Sequence, residues 1–103
     1  VAHRAGVEVF VATLTPQRRN SPKGAGADLV SSLNKSIYWS AGREGAPVVD
    51  LFQALGGGPD PYVGADGLHL TAAGYQKVAE TFFDAIRGRY EPAPSLQFLI
   101  TGR

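Results

Sequence analysis

The chain has 103 residues, of which 44% are hydrophobic and 18% charged, and these values indicate one globular domain rather than a disordered segment. A formal net charge of +1 gives no electrostatic basis for binding nucleic acid or an anionic membrane, and we interpret the short cluster Arg18, Arg19 and Lys23 as a solvated loop. Because there is no cysteine, a disulfide framework and a thiolate metal site are excluded. No apolar run approaches the ~20 residues that span a bilayer.

The first residues give an expectation about the extent of the chain. It begins with Val1, and the letters HRAG stand directly before a strand-like run, as in the last turn of a helix. We therefore expect a piece of a longer protein, whose localisation, secreted or cytoplasmic, stays open. His3 in this segment is expected to be exposed. A metal role for it would need partners, and with two histidines and no cysteine none is evident.

Two buried strands with a helix between them are predicted in the first half. Val7–Leu14, VEVFVATL, is β-branched and almost continuously apolar, which is typical of a parallel strand covered on both faces. After a polar Gly/Pro loop, Asp28 can cap a helix whose apolar face carries Val30, Leu33 and Ile37, and GREG ends that helix. The run APVVDLF predicts the second strand, which ends at Asp50.

A long loop, a helix and a tail make up the second half. The loop GGGPDPYVGADG offers glycines without the Lys-Ser/Thr pair of a phosphate-binding loop. Thr71 can cap the next helix, whose apolar stripe is Tyr75, Val78, Ala79, Phe82 and Ile86. We divide the chain into a domain, residues 1–90, and a tail, residues 91–103, with the linker EPAPS and the apolar run LQFLI.

This order of elements predicts an α/β fold with parallel strands and flanking helices. Two strands alone are marginal in water, so we expect the sheet to be part of a larger one.

Asp66 and His69 are the strongest candidates for chemistry. Both stand on a loop expected at the carboxyl edge of the sheet, where open α/β sheets bind ligands. An imidazole can accept a proton from a hydroxyl near neutral pH, and a carboxylate on its other nitrogen fixes the tautomer. The spacing of three across a glycine turn allows the two side chains to meet, although Asp-Gly is also a common turn pair.

The string DGLHLTAAGY, residues 66–75, resembles the last sequence block of the SGNH hydrolases, the GDSL-type esterases and lipases. VEVFVATLTP resembles the fourth strand of that family and APVVDLFQAL the fifth, so the resemblance covers about residues 1–90. It implies the carboxyl-terminal half of a three-layer, flavodoxin-like SGNH fold without its amino-terminal strands. It also implies that His69 is the base of a Ser-His-Asp triad and Asp66 its partner, with no cofactor or metal.

The sequence departs from the family in the rest of the triad. It contains neither the Gly-Asp-Ser block that carries the nucleophile nor the blocks that carry the oxyanion-hole glycine and asparagine. Ser21 is a candidate surrogate nucleophile, and Thr15 and Leu68 are candidates for lining the substrate. Thr13 near the strand end could face the substrate as well, whereas Tyr38 and Trp39 are expected in the core or at an interface.

Three functions follow as hypotheses. The first is a serine-type esterase for small acyl esters, to which this chain supplies the Asp-His pair. The second is a catalytically incomplete fragment that folds by self-association, and the third is a carbohydrate-binding remnant. An unpaired strand edge also predicts a homo-oligomer, or complementation by a missing amino-terminal half, with the first strand, the tail or Trp39 at the contact.

Overall fold

A computed structural model describes residues 6–91. They form a small α/β domain of two parallel strands and three helices. The tail run LQFLI and His3 lie outside the described residues.

The two strands are neighbours and parallel, as the apolar runs predict. Strand β1 is Val11–Ala12 and strand β2 is Val48–Val49, with Val11 opposite Val48 and Ala12 opposite Val49. The predicted extent of the first strand, Val7–Leu14, is wrong, since the observed strand is shorter. A ladder of hydrogen bonds exists only where both strands are extended side by side. On the β2 side the ladder stops where the backbone turns into a helix at Asp50.

Burial of the first strand on both faces is not observed. Val7 is exposed, and Val9, Phe10 and Val11 are only partly buried. Within residues 6–91, β1 has a strand partner on one side only, so its other edge and part of one face stay open. The buried apolar residues of the described range are Val30, Ala41, Ala46, Val49, Leu51, Leu55 and Val63.

Helix α1, Ala27–Glu44, begins two residues earlier than predicted. Its N-cap is Gly26. Asp28 is not the cap but stands in the first turn, where its negative charge interacts favourably with the helix dipole. The predicted end is confirmed, since Gly45 closes the helix in the left-handed region at φ 68°. Of the predicted apolar face, Val30 is buried, whereas Leu33 is exposed.

A buried amide attaches α1 to the end of β1. The Asn34 Oδ1 accepts from the Leu14 amide at 2.7 Å, and the Asn34 Nδ2 donates to the Leu14 carbonyl at 3.4 Å. The side chain therefore takes both hydrogen bonds that a neighbouring strand would make there, which fixes where the loop after β1 begins.

Thr13 and Asp50 join the carboxyl ends of the two strands. Asp50 caps the short helix α2, Leu51–Ala54, by accepting from the Gln53 amide at 2.9 Å. The hydroxyl of Thr13 accepts from the Phe52 amide at 3.0 Å and donates to Asp50 Oδ1 at 3.4 Å. Thr13 is buried, and its hydroxyl makes both of these hydrogen bonds; a substrate contact by Thr13 stays a prediction.

Helix α3, Ala72–Tyr90, packs against β2 and α2. The predicted cap is confirmed, because Thr71 Oγ1 accepts from the Gly74 amide at 3.1 Å. Near the other end, Arg89 Nη2 lies 2.8 Å from Glu8 Oε1, which ties the helix to the segment before β1. Within residues 6–91 no helix is long and apolar enough to cross a membrane.

Candidate functional site

Asp66 builds the turn on which His69 stands. Its Oδ1 accepts from the backbone amides of Leu68 and His69, each at 2.9 Å. Gly67, which follows Asp66, has φ 87°, a left-handed backbone conformation that residues with a side chain rarely adopt. The Asp-Gly pair is therefore required by the turn itself, and one carboxylate oxygen is used to hold it.

The other carboxylate oxygen meets the imidazole. Asp66 Oδ2 lies 2.5 Å from His69 Nδ1, so the contact expected from the spacing of three is observed. The His69 hydrogen bond, followed by the amides of Leu68 and His69, holds the pKa of the Asp66 carboxyl well below its usual range. Asp66 is thus an ionised acceptor, and a hydrogen between it and the ring must belong to Nδ1.

This arrangement leaves the lone pair of a neutral ring on Nε2. The His69 side chain is 63% exposed and that of Asp66 30%, so the ring projects outward while the carboxylate lies behind it. Within residues 6–91 no hydrogen bond engages Nε2. The pair is consequently suited to accept a proton from a hydroxyl or a water molecule in front of the ring.

The segment that carries the pair is closed on itself by backbone hydrogen bonds. The Gly64 amide donates to the His69 carbonyl at 2.7 Å, next to an antiparallel bridge between Val63 and Leu70. The Thr71 amide donates to the Tyr62 carbonyl at 2.8 Å. We call residues 59–71 the histidine loop, because these bonds fix its shape from Pro59 to the cap of α3.

The second glycine of the string DGLHLTAAGY is Gly74, and close packing of α3 requires a glycine at this position. A Cβ built on Gly74 would lie 2.3 Å from the Tyr62 carbonyl oxygen and 3.0 Å from the Leu70 Cβ. Only a residue without a side chain allows the first turn of α3 to approach the histidine loop this closely.

The loop that leaves β1 packs directly against the histidine loop. The Arg18 amide donates to the Gly67 carbonyl at 2.9 Å, and the Lys23 amide donates to the Asp66 carbonyl at 2.8 Å. Because this loop follows the carboxyl end of β1, the contacts place Asp66 and His69 on the carboxyl side of the sheet.

Arg18 departs from its interpretation as part of a solvated loop. Its guanidinium is paired with Asp60 at 2.8 Å and bonded to two carbonyls of the histidine loop. Sequence reasoning missed this residue, because its partners stand more than forty positions away.

The remaining candidates differ in how close they lie to the pair. Ser21 is partly buried beside the turn, with its Cβ 2.5 Å from where a Cβ of Gly67 would stand. Leu68 is exposed and Thr15 partly buried. Neither Leu68 nor Thr15 lines the cavity formed by Val9, Val11 and Leu14 with α1, or the cavity formed by Thr13, Asn34 and Asp50.

One of these cavities lies at the carboxyl ends of the strands, has a volume of about 210 Å³, and is separate from the pair. Tyr38 donates to Asp50 Oδ2 at 2.5 Å on its wall. That hydrogen bond, with burial and the carboxylate charge, raises the pKa of Tyr38 above its usual value. Asp50 also caps α2 and accepts from Thr13, so we interpret its contacts as structural.

Metal ligands do not gather in the described part of the chain. Residues 6–91 contain no group of three His, Asp or Glu side chains placed to hold an ion.

Neither models of known protein families nor curated proteins match the chain.

Proposed function

We propose that the chain contributes the carboxylate–imidazole pair of a serine-type ester hydrolase that acts on small acyl esters, in a partial SGNH-like fold. The observation that carries the proposal is the 2.5 Å contact between Asp66 Oδ2 and His69 Nδ1. It is supported by the ionised state of Asp66 and by the exposed ring, whose Nε2 is open to a substrate.

In the proposed reaction, Nε2 of His69 accepts the proton of an attacking hydroxyl, and Asp66 stabilises the imidazolium that forms. The hydroxyl adds to the ester carbonyl, the leaving alcohol takes the proton back from Nε2, and water then releases the acyl group by the same steps. The hydroxyl comes from Ser21 or from a residue outside 6–91. Thr15 and Leu68 stay candidates for contacting the acyl group.

Hydrolysis of p-nitrophenyl acetate tests this proposal. We expect a rate at least tenfold above that of free N-acetylhistidine at equal concentration, which measures what a plain exposed imidazole does. His69→Ala should reduce the rate to background, and Asp66→Asn should reduce it about a hundredfold or more because the tautomer is lost. A rate equal to that of N-acetylhistidine, or one unchanged in His69→Ala, contradicts the proposal.

Matched controls separate the pair from general effects of charge. His3→Ala removes the other histidine, and Asp84→Asn removes an exposed carboxylate on α3, so both should retain the full rate. Ser21→Ala distinguishes the two sources of the hydroxyl: loss of covalent labelling by a fluorophosphonate in this variant assigns Ser21, and retained labelling assigns another residue.

A second proposal is self-association, which the exposed apolar surface favours. Trp39 is 66% exposed, and Tyr75, Phe83, Ile86 and Tyr90 are exposed on α3. An assembly of identical chains would cover these side chains without requiring turnover.

A further inference from the structure

We propose that Arg18 is a positioning residue for the Asp66–His69 pair, which extends the function proposed above to a residue on a different loop. The Arg18 Nη2 donates to the Val63 carbonyl at 2.7 Å and to Asp60 Oδ1 at 2.8 Å, and its Nε donates to the Gly64 carbonyl at 3.3 Å. One side chain thus donates to three acceptors in the part of the histidine loop that precedes the turn at Asp66.

The backbone of Arg18 holds the other side of the same turn. Its amide donates to the Gly67 carbonyl at 2.9 Å, and its carbonyl oxygen would lie 2.7 Å from a Cβ on Gly67. Arg18 therefore contacts the chain both before and after Asp66. Displacing Arg18 removes the contacts on both sides of the turn at once.

The path from the guanidinium to the imidazole is short. Gly64 accepts from Arg18 through its carbonyl and donates through its amide to the His69 carbonyl at 2.7 Å. A shift of Gly64 therefore moves the backbone of His69, whose amide also donates to Asp66 Oδ1, so the turn that joins the two side chains is distorted. The distance between His69 Nδ1 and Asp66 Oδ2 depends on the shape of this turn. Reaction rates fall by up to about a hundredfold when a catalytic group is displaced by an ångström.

The contact requires an arginine rather than a positive charge. The planar guanidinium presents several donors in a fixed fork and can bond two carbonyls and a carboxylate together, whereas an ammonium is a single point on a flexible stem. Val63 is buried, and its carbonyl loses a charge-assisted partner in a variant without the guanidinium.

Arg18→Ala and Arg18→Lys test the proposal, with Arg19→Ala as the matched control. Arg19 is the next residue and is exposed, so its removal changes the net charge equally without touching the histidine loop. Two readouts are taken on the folded chain: the NMR signal of the His69 Nδ1 proton, and kcat and KM for p-nitrophenyl acetate.

In Arg18→Ala we expect the Nδ1 proton signal to disappear through exchange with water. We expect kcat to fall about tenfold to a hundredfold with KM within twofold. Arg18→Lys should lie between Arg18→Ala and the unmodified chain, and Arg19→Ala should match the unmodified chain. Thermal unfolding of each variant identifies temperatures at which it is folded, and Arg18→Lys provides the test if Arg18→Ala does not fold.

An unchanged Nδ1 proton signal in folded Arg18→Ala, or equal losses in Arg18→Ala and Arg19→Ala, overturns the proposal. The NMR readout needs no turnover. If the unmodified chain hydrolyses no ester but the signal is lost in Arg18→Ala, the positioning role stands and the proposed function falls.

Discussion

At the scale of single residues, Asp66 has two tasks that use different oxygens. Its Oδ1 holds the turn through two amides, and its Oδ2 orients the ring of His69. Replacing Asp66 by asparagine exchanges one of these acceptors for an amide donor. We therefore expect the side-chain orientation of His69 to be more sensitive to this change than the fold of the turn.

The ionisation of Asp66 gives a prediction for pH dependence. Its folded-state pKa lies below the ordinary value of 3.8, so its stabilising contribution is fully present above that value and is lost as the pH falls through the folded-state pKa. The carboxyl ¹³C signal of Asp66 should therefore show no midpoint for the protonation of this carboxyl down to about pH 3.

Replacing the ring identifies the main cause of this shift. His69→Ala should move the Asp66 titration back towards the ordinary range but not fully into it, because the two backbone amides still donate. His3→Ala serves as the control and should leave the titration unchanged. A midpoint of 3.8 or above in the unmodified chain would show that the carboxylate is not held as described.

At the scale of elements, helix α3 is fixed to the histidine loop by its first turn. Thr71 caps the helix and also donates through Oγ1 to the Pro61 carbonyl at 3.0 Å. Gly74 allows that turn to contact the Tyr62 carbonyl. The start of α3 and the orientation of the pair are thus parts of one compact structure.

Two glycine substitutions in α3 separate close packing from helix propensity. Gly74→Ala should lower the free energy of unfolding by about 1–3 kcal/mol, because its Cβ would overlap the Tyr62 carbonyl. Gly88→Ala, in the same helix, meets no atom within 4 Å and should raise that free energy by about 0.5–1 kcal/mol. Urea unfolding of both variants measures the difference, and equal effects would show that α3 does not approach the loop as described.

What the sequence could predict depended on how local each interaction is. The carboxyl end of α1, the start of α3 and the pairing of Asp66 with His69 arise within a few residues, so caps, periodicity and spacing indicate them. The length of β1 depends on how far its partner runs, and the apolar pattern of Val7–Leu14 carries no information about that. Arg18 and Asn34 act on partners far along the chain, and a single sequence gives no signal for such contacts.

At the scale of the whole molecule, an open apolar groove lies between β1 and α1. Its volume is about 530 Å³. Val11 and Thr13 donate their amides to β2, so by the alternation of a ladder the amide of Ala12 points to the opposite edge, beside this groove. The apolar side chains that line the groove are Val9, Val11, Leu14, Leu33, Ile37, Ala41 and Ala46.

Such an edge favours pairing with another chain, and we predict a homo-oligomer at micromolar concentration. Leu33→Glu places a charge in the groove and should shift sedimentation towards the monomer. Ser32→Glu, on the neighbouring exposed position of the same helix, should leave the assembly intact. A well-folded monomer of the unmodified chain would contradict the prediction and would leave the groove to another part of the chain.

The tautomer of His69 in the 103-residue chain tests most directly whether Asp66 prepares the ring as a base. At about pH 8, ¹⁵N–¹H correlation spectra should show the ring proton on Nδ1 and a free lone pair on Nε2, whereas free histidine favours the proton on Nε2. In Asp66→Asn this preference should be lost. A ring proton on Nε2 in the unmodified chain would contradict the arrangement, because the atom that must accept the proton would already carry one.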